Sequence, residues 1–160
     1  MVAATCRQLL MDGLAQEAAV LAAGLYAAGH PHRSSHVVAA AAVDAVDGGA
    51  AAAVAEAHVA LWRAGALPLL RDMHLVAVRQ GWQDAAAETA WRVMQRRGGQ
   101  GQVAGVLAAM LRQGAAREAA DLAHQLGAVS SGNHLVAEVR LSPLSSWPFS
   151  FFKTRRFGLC

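Results

Sequence analysis

Glycines at 13, 48, 81 and 114 lie 35, 33 and 33 residues apart, and this near-fixed period constrains the chain more than any other feature. Five residues after each glycine stands Ala18, Ala53, Ala86 or Ala119. Nine after stands Ala22, Ala57, Ala90 or Ala123. Twelve after come Leu25, Ala60, Val93 and Leu126; three before come Leu10, Ala45, Val78 and Leu111. Alanines at i and i+4 stack on one face of a helix, where their small size lets a second helix approach closely. A self-similar period in this range is the mark of a helical repeat array.

Composition supports helix throughout. Apolar residues make up 55% of the chain and charged residues 16%, and the apolar excess is mostly Ala, the best helix former. The pattern predicts first helices over residues 2–12, 35–47, 69–80 and 102–113. It predicts second helices over 14–28, 50–64, 82–97 and 115–127. Gly13, Gly48, Gly81 and Gly114 fit the left-handed position just past a helix end. Second helices should end near Gly29, Gly65, Gly98 and Gly127, with Pro31 and Pro68 stopping two of them. Gly98, Gly99 and Gly101 read as a flexible linker. A lone hairpin cannot bury its apolar face, but stacked hairpins can. The expected fold class is therefore all-α: an α-solenoid of about four helix-turn-helix repeats over residues 1–128, with an irregular tail over 129–160.

Charge divides the array. Residues 1–60 carry two Arg against five acids, net −3, and residues 61–128 carry eight Arg against five acids, net +3. The tail adds Arg140, Lys153, Arg155 and Arg156 against Glu138, so the basic balance of the whole chain belongs to the tail. Cys6 and Cys160 sit at opposite ends, which gives no disulfide framework and points to a reducing compartment. No apolar stretch of about 20 residues runs unbroken, so no membrane span is expected, and the first residues do not resemble a signal or transit peptide.

The run Gly13-Leu-Ala-Gln-Glu-Ala18, then Leu25, then Gly29-His-Pro31 resembles the second half of a pentatricopeptide repeat. Gly48, Ala53, Leu61 and Gly65-Ala-Leu-Pro68 continue the likeness. Gly81, Ala86, Met94 and Gly98 carry it on without the proline, and Gly114-Ala-Ala-Arg-Glu-Ala119 closes it. The likeness covers residues 2 to about 128. Tetratricopeptide repeats are the second choice, because their aromatic signature positions are not filled. Ankyrin repeats share a period of 33 but need a Thr-Pro-Leu-His-like turn that this chain lacks. The resemblance implies single-stranded RNA binding in a mitochondrion or plastid, one base per repeat. It also implies a presequence already removed, or a chain that is a piece of a longer one. Base readers in that family lie ten residues before the turn glycine, here Ala3, Val38, Arg71 and Ala104, of which Arg71 alone has a hydrogen-bonding side chain. The rival expectation is a helical scaffold that binds protein within a larger assembly.

The candidate RNA contacts are Arg71, Arg79, Arg112 and Arg117 for phosphate, and Trp82 for base stacking. Arg92, Arg96 and Arg97 offset a helix dipole and also suit phosphate. Trp62, Trp82 and Trp91 suit stacking on bases or partner side chains, and more readily the filling of gaps in an Ala-lined core. His30, His32 and His36 flank Pro31 but lack the further ligands of a metal site. That stretch reads as a solvated loop, with Ser34 or Ser35 capping the next helix. His58, His74 and His124 read as isolated packing or surface residues. No phosphate loop, nucleophile elbow or paired metal motif occurs, so neither an enzyme nor a cofactor is expected. In the tail, residues 134–141 alternate weakly and suit a strand or an extended arm. Trp147, Phe149, Phe151, Phe152 and Phe157 make an aromatic, basic end. That end suits docking on a partner or a membrane surface, and equally a non-native terminus.

Overall fold

The computed structural model describes residues 2–131. The proposed strand or arm and the aromatic segment of the tail lie outside the described residues. Eight helices follow one another: α1 Val2–Met11, α2 Ala15–Ala28, α3 Pro31–Asp47, α4 Ala51–Arg63, α5 Leu67–Arg79, α6 Gln83–Met94, α7 Gly99–Arg112 and α8 Ala116–Ser131. They form four hairpin units. Odd helices pack on the next odd helix and even helices on the next even one, the stacking of a helical-repeat solenoid. None is long and apolar enough to cross a membrane.

One turn chemistry recurs. In the first unit the Gly13 N–H donates to Leu10 C=O at 3.1 Å, and the Leu14 N–H donates to Leu9 C=O at 2.8 Å. These paired bonds close a helix end only when the glycine is left-handed, and its φ is +78°. The same pair of bonds recurs at Gly49, Gly65, Gly81 and Gly114.

In the second unit the left-handed residue is therefore Gly49, with φ +93°, while Gly48 has φ −81° and belongs to the helix end. Counted from Gly49, the inner columns become Ala18, Val54, Ala86 and Ala119, all buried, and Leu25, Leu61, Val93 and Leu126. This shift corrects the expected register. Ala53 leaves the buried column, and Leu61 replaces Ala60 as the large apolar residue. The buried residues join in one core from Leu10 to Leu126.

The joints between units depart from expectation. Pro31 and Pro68 do not merely stop a helix. Each lies in the first turn of the next one, where a missing N–H costs nothing. Ser34 and Ser35 are buried inside α3 and cap nothing at its N-terminus. The Ser34 hydroxyl instead donates to Leu25 C=O at 3.0 Å, which clasps the end of α2. Gly98 to Gly101 are not a flexible linker. Gly98 is left-handed, Gly99 is buried and opens α7, and a methyl group on Gly99 would strike the Val93 carbonyl. Gly127 lies within α8, which continues to Ser131, so the helical array extends past residue 128.

Two braces link units that are not adjacent in sequence. The Tyr26 hydroxyl of α2 donates to Asp72 Oδ2 of α5 at 2.6 Å. The Trp62 ring of α4 lies against Gly105 of α7, where an added methyl would meet it. Tyr26 and Trp62 each stand thirteen residues after their turn glycine. Asp72 and Gly105 each stand nine before theirs. The repeat thus fixes which side chain reaches two units ahead.

Candidate nucleic-acid interface

Arg71 sits in the first half of α5. Its guanidinium Nε donates to Asp72 Oδ1 at 2.8 Å, and its side chain is only 22% exposed. The same Asp72 accepts the Tyr26 hydroxyl. Burial, then the bond to and charge of Asp72, push that hydroxyl up to about 12. The bond that Arg71 donates to Asp72 likewise raises its guanidinium above the ordinary value. Arg71 is thus part of a bridge between α2 and α5.

Arg79 ends α5 and donates to Glu118 Oε2 of α8 at 2.8 Å. That bond holds the Glu118 carboxyl below the usual carboxylate range. Arg92 pairs with Glu88 one helical turn away, and Arg96 pairs with Glu56 of α4 at 2.7 Å. Exposed pairs of this kind contribute ~0.2–1 kcal/mol, so they yield readily to a phosphate. Among the described residues of the second half, four arginines are exposed and carry no ion pair: Arg63, Arg97, Arg112 and Arg117. Arg112 and Arg117 are contacts expected from the sequence, and Arg97 lies beside a helix end. Arg63 escapes sequence reasoning, because one arginine at a helix end carries no distinguishing signal.

Setting paired residues aside leaves the charge asymmetry standing. The second half keeps Arg63, Arg97, Arg112 and Arg117 against Asp84 and Asp121, net +2. The first half keeps Arg7 and Arg33 against Asp12, Glu17, Asp44 and Asp47, net −2. Asp84 also accepts a bond from the Gln125 amide at 2.6 Å.

Trp82 caps the start of α6 half-buried, with its ring centroid 5.9 Å from that of His36. Trp62 is half-buried over Gly105, and Trp91 is buried. These rings are engaged with the core before any base arrives. Of the positions ten before each turn glycine, Ala39 and Ala104 are buried where units stack, as is Val38 beside Ala39, whereas Ala3 and Arg71 are partly exposed.

Two histidines, expected to be isolated, come together. His58 of α4 and His74 of α5 are both buried, with ring centroids 5.4 Å apart in an edge-to-face arrangement. Sequence distance hid the pair, since nothing in the spacing of 16 residues announces a contact between neighbouring units. The cavities that reach His58 hold about 20 Å³ each, room for a single water. Among the described residues, no group of three His, Cys, Asp or Glu is placed to hold a metal ion.

No family model, curated protein or solved structure matches this chain.

Proposed function

We propose that this chain binds single-stranded RNA through the phosphates, using units three and four together with Arg63 at the end of unit two, and serves RNA metabolism in a mitochondrion or plastid. One observation carries the reading: unpaired arginine accumulates on the second half of an array whose first half keeps an acidic excess. A phosphate chain is attracted to the one and repelled by the other. The organellar setting rests on the pentatricopeptide-like register of the glycines. Base-specific readout is not part of the proposal, because three of the four positions that would supply it, Ala3, Ala39 and Ala104, are apolar and the fourth, Arg71, is tied to Asp72. Arg112 and Arg117, joined by Arg63 and Arg97, are the phosphate ligands. Arg79 joins them by exchanging Glu118 for phosphate.

A second reading is a protein-binding scaffold. The lack of a hydrogen-bonding side chain at Ala3, Ala39 and Ala104 favours it, since those positions offer nothing to a base edge.

The test is fluorescence anisotropy with unrelated 12-nucleotide RNAs at two salt concentrations. Binding should be weak, indifferent to sequence and strongly salt-dependent. Changing Arg97, Arg112 and Arg117 together to Gln in the full chain should lower the slope of log affinity against log salt by about 2, at ~0.7 per phosphate contact. An unchanged slope would remove these residues from the interface. Tight, sequence-dependent binding would mean that the readers lie elsewhere. A chain that ignores RNA at low salt would favour the scaffold.

A further inference from the structure

His58 and His74 occupy columns that other units fill with apolar residues. Nine after the turn glycine stand Ala22, His58, Ala90 and Ala123; seven before it stand Cys6, Ala42, His74 and Leu107. The fold therefore does not require an imidazole at either place. Yet both are present, in contact, across the boundary between the second and third units.

Each ring is held the same way. His58 Nδ1–H donates to Val54 C=O at 2.8 Å, and His74 Nδ1–H donates to Leu70 C=O at 2.6 Å, each within its own helix. This fixes the neutral tautomer and leaves each Nε2 as a bare lone pair. Around the rings are three small cavities, and His58 lines all of them.

The walls offer almost nothing to a cation. From α1 the only titratable group is Cys6, whose thiol is pushed up by burial and stays neutral. From α2 and α3 only Ala and Val line the cavities. From α6, α7 and α8 the polar groups are Thr89, already bonded to Ala85 C=O, and the neutral amide of Gln102. The carboxylates of α4 and α5 are engaged elsewhere, Glu56 with Arg96 and Asp72 with Tyr26 and Arg71.

We propose that the His58–His74 pair is an acid-sensitive lock, such that protonating the buried imidazoles loosens the array at its midpoint, between units two and three. A charge placed there meets a second imidazole, the unpartnered Oε1 of the Gln102 amide and otherwise apolar walls, with no counterion, so the junction opens to admit water. Burial, then the neighbouring His74, lower His58 to about 3, and burial lowers His74. The sign follows. Both groups are neutral in the fold but take up protons once exposed, near pH 6.5. Stability from the closed junction is complete above that pH and is lost as pH falls from about 6.5 towards 3.

Hydrogen–deuterium exchange of the full chain at pH 7 and pH 5, corrected for intrinsic rate, tests this. Peptides from α4 and α5 should lose protection about tenfold more than those from α1 and α8. Below pH 6 the unfolding equilibrium should rise by up to about 100-fold per pH unit, tenfold for each proton taken up. In the double variant His58→Ala, His74→Leu, which restores residues found at equivalent positions, that pH dependence should largely vanish. The lock is wrong if this variant keeps the wild-type pH dependence, or if all eight helices lose protection together. If the variant does not fold, proton NMR of the wild type decides: two histidine rings must stay neutral down to pH 5. Titration of every histidine near pH 6.5 overturns the proposal.

Discussion

The two halves of the array are built alike and charged oppositely. In both, a left-handed glycine closes each hairpin with the same pair of backbone bonds, and small or branched apolar residues fill the same columns. The outer surfaces differ, acidic over α1 to α4 and basic over α5 to α8. The fold is thus specified by the turn glycines and inner columns, and the remaining positions are free to carry function. A repeat array permits this, because each unit is stabilised chiefly by its neighbours.

The halves also differ at the joints between hairpins, and the largest expected effect lies there. The joint from α6 to α7 presses Gly99 against the Val93 carbonyl, whose atoms belong to the backbone and cannot swing aside. The joint from α2 to α3 is looser. A methyl on Gly29 would sit 3.0 Å from Ser34 Oγ, the end of a side chain, and 3.1 Å from Leu25 C=O. Gly99→Ala should therefore cost ~3 kcal/mol, at the upper end for overpacking, and Gly29→Ala roughly 1 kcal/mol. Urea melts of the two variants would compare the joints. Equal losses would show that the second joint is as tolerant as the first.

A smaller effect sharpens the shared plan. Ala119→Leu and Ala86→Leu place a larger side chain in the buried column and should each cost about 1–3 kcal/mol. Ala53→Leu, one residue out of that column, should change stability by less than ~0.5 kcal/mol. If Ala53→Leu proves the costly change and Val54→Leu the mild one, the register of the second unit is misplaced.

That register shows how far the sequence can be followed. Helix order and most boundaries were legible, because the Gly and Ala columns are periodic and Ala-rich segments leave few alternatives. Gly48 satisfies the Ala pattern, with Ala53 and Ala57 five and nine residues on, whereas Gly49 has Val54 and His58 there, and the backbone angle rather than the pattern selects Gly49. Ser34 looked like a cap because its side chain suits one. Its burial reflects a helix that starts earlier, at Pro31. The run from Gly98 looked flexible because glycine permits flexibility, whereas here it permits close approach. Arg112 and Arg117 were legible as exposed charge. The ties of Asp72 to Tyr26, and of His58 to His74, span units, and no local rule foretells a contact 46 or 16 residues away.

The contrast between the halves meets its most direct test in crosslinking. A 12-nucleotide RNA carrying 4-thiouridine at successive positions, irradiated with the full chain and mapped by mass spectrometry, reports which helices it touches. The account predicts crosslinked peptides from α6 to α8, around Arg97, Arg112 and Arg117, and none from residues 2–60. Crosslinks concentrated on α1 to α4, or spread evenly over both halves, would contradict it.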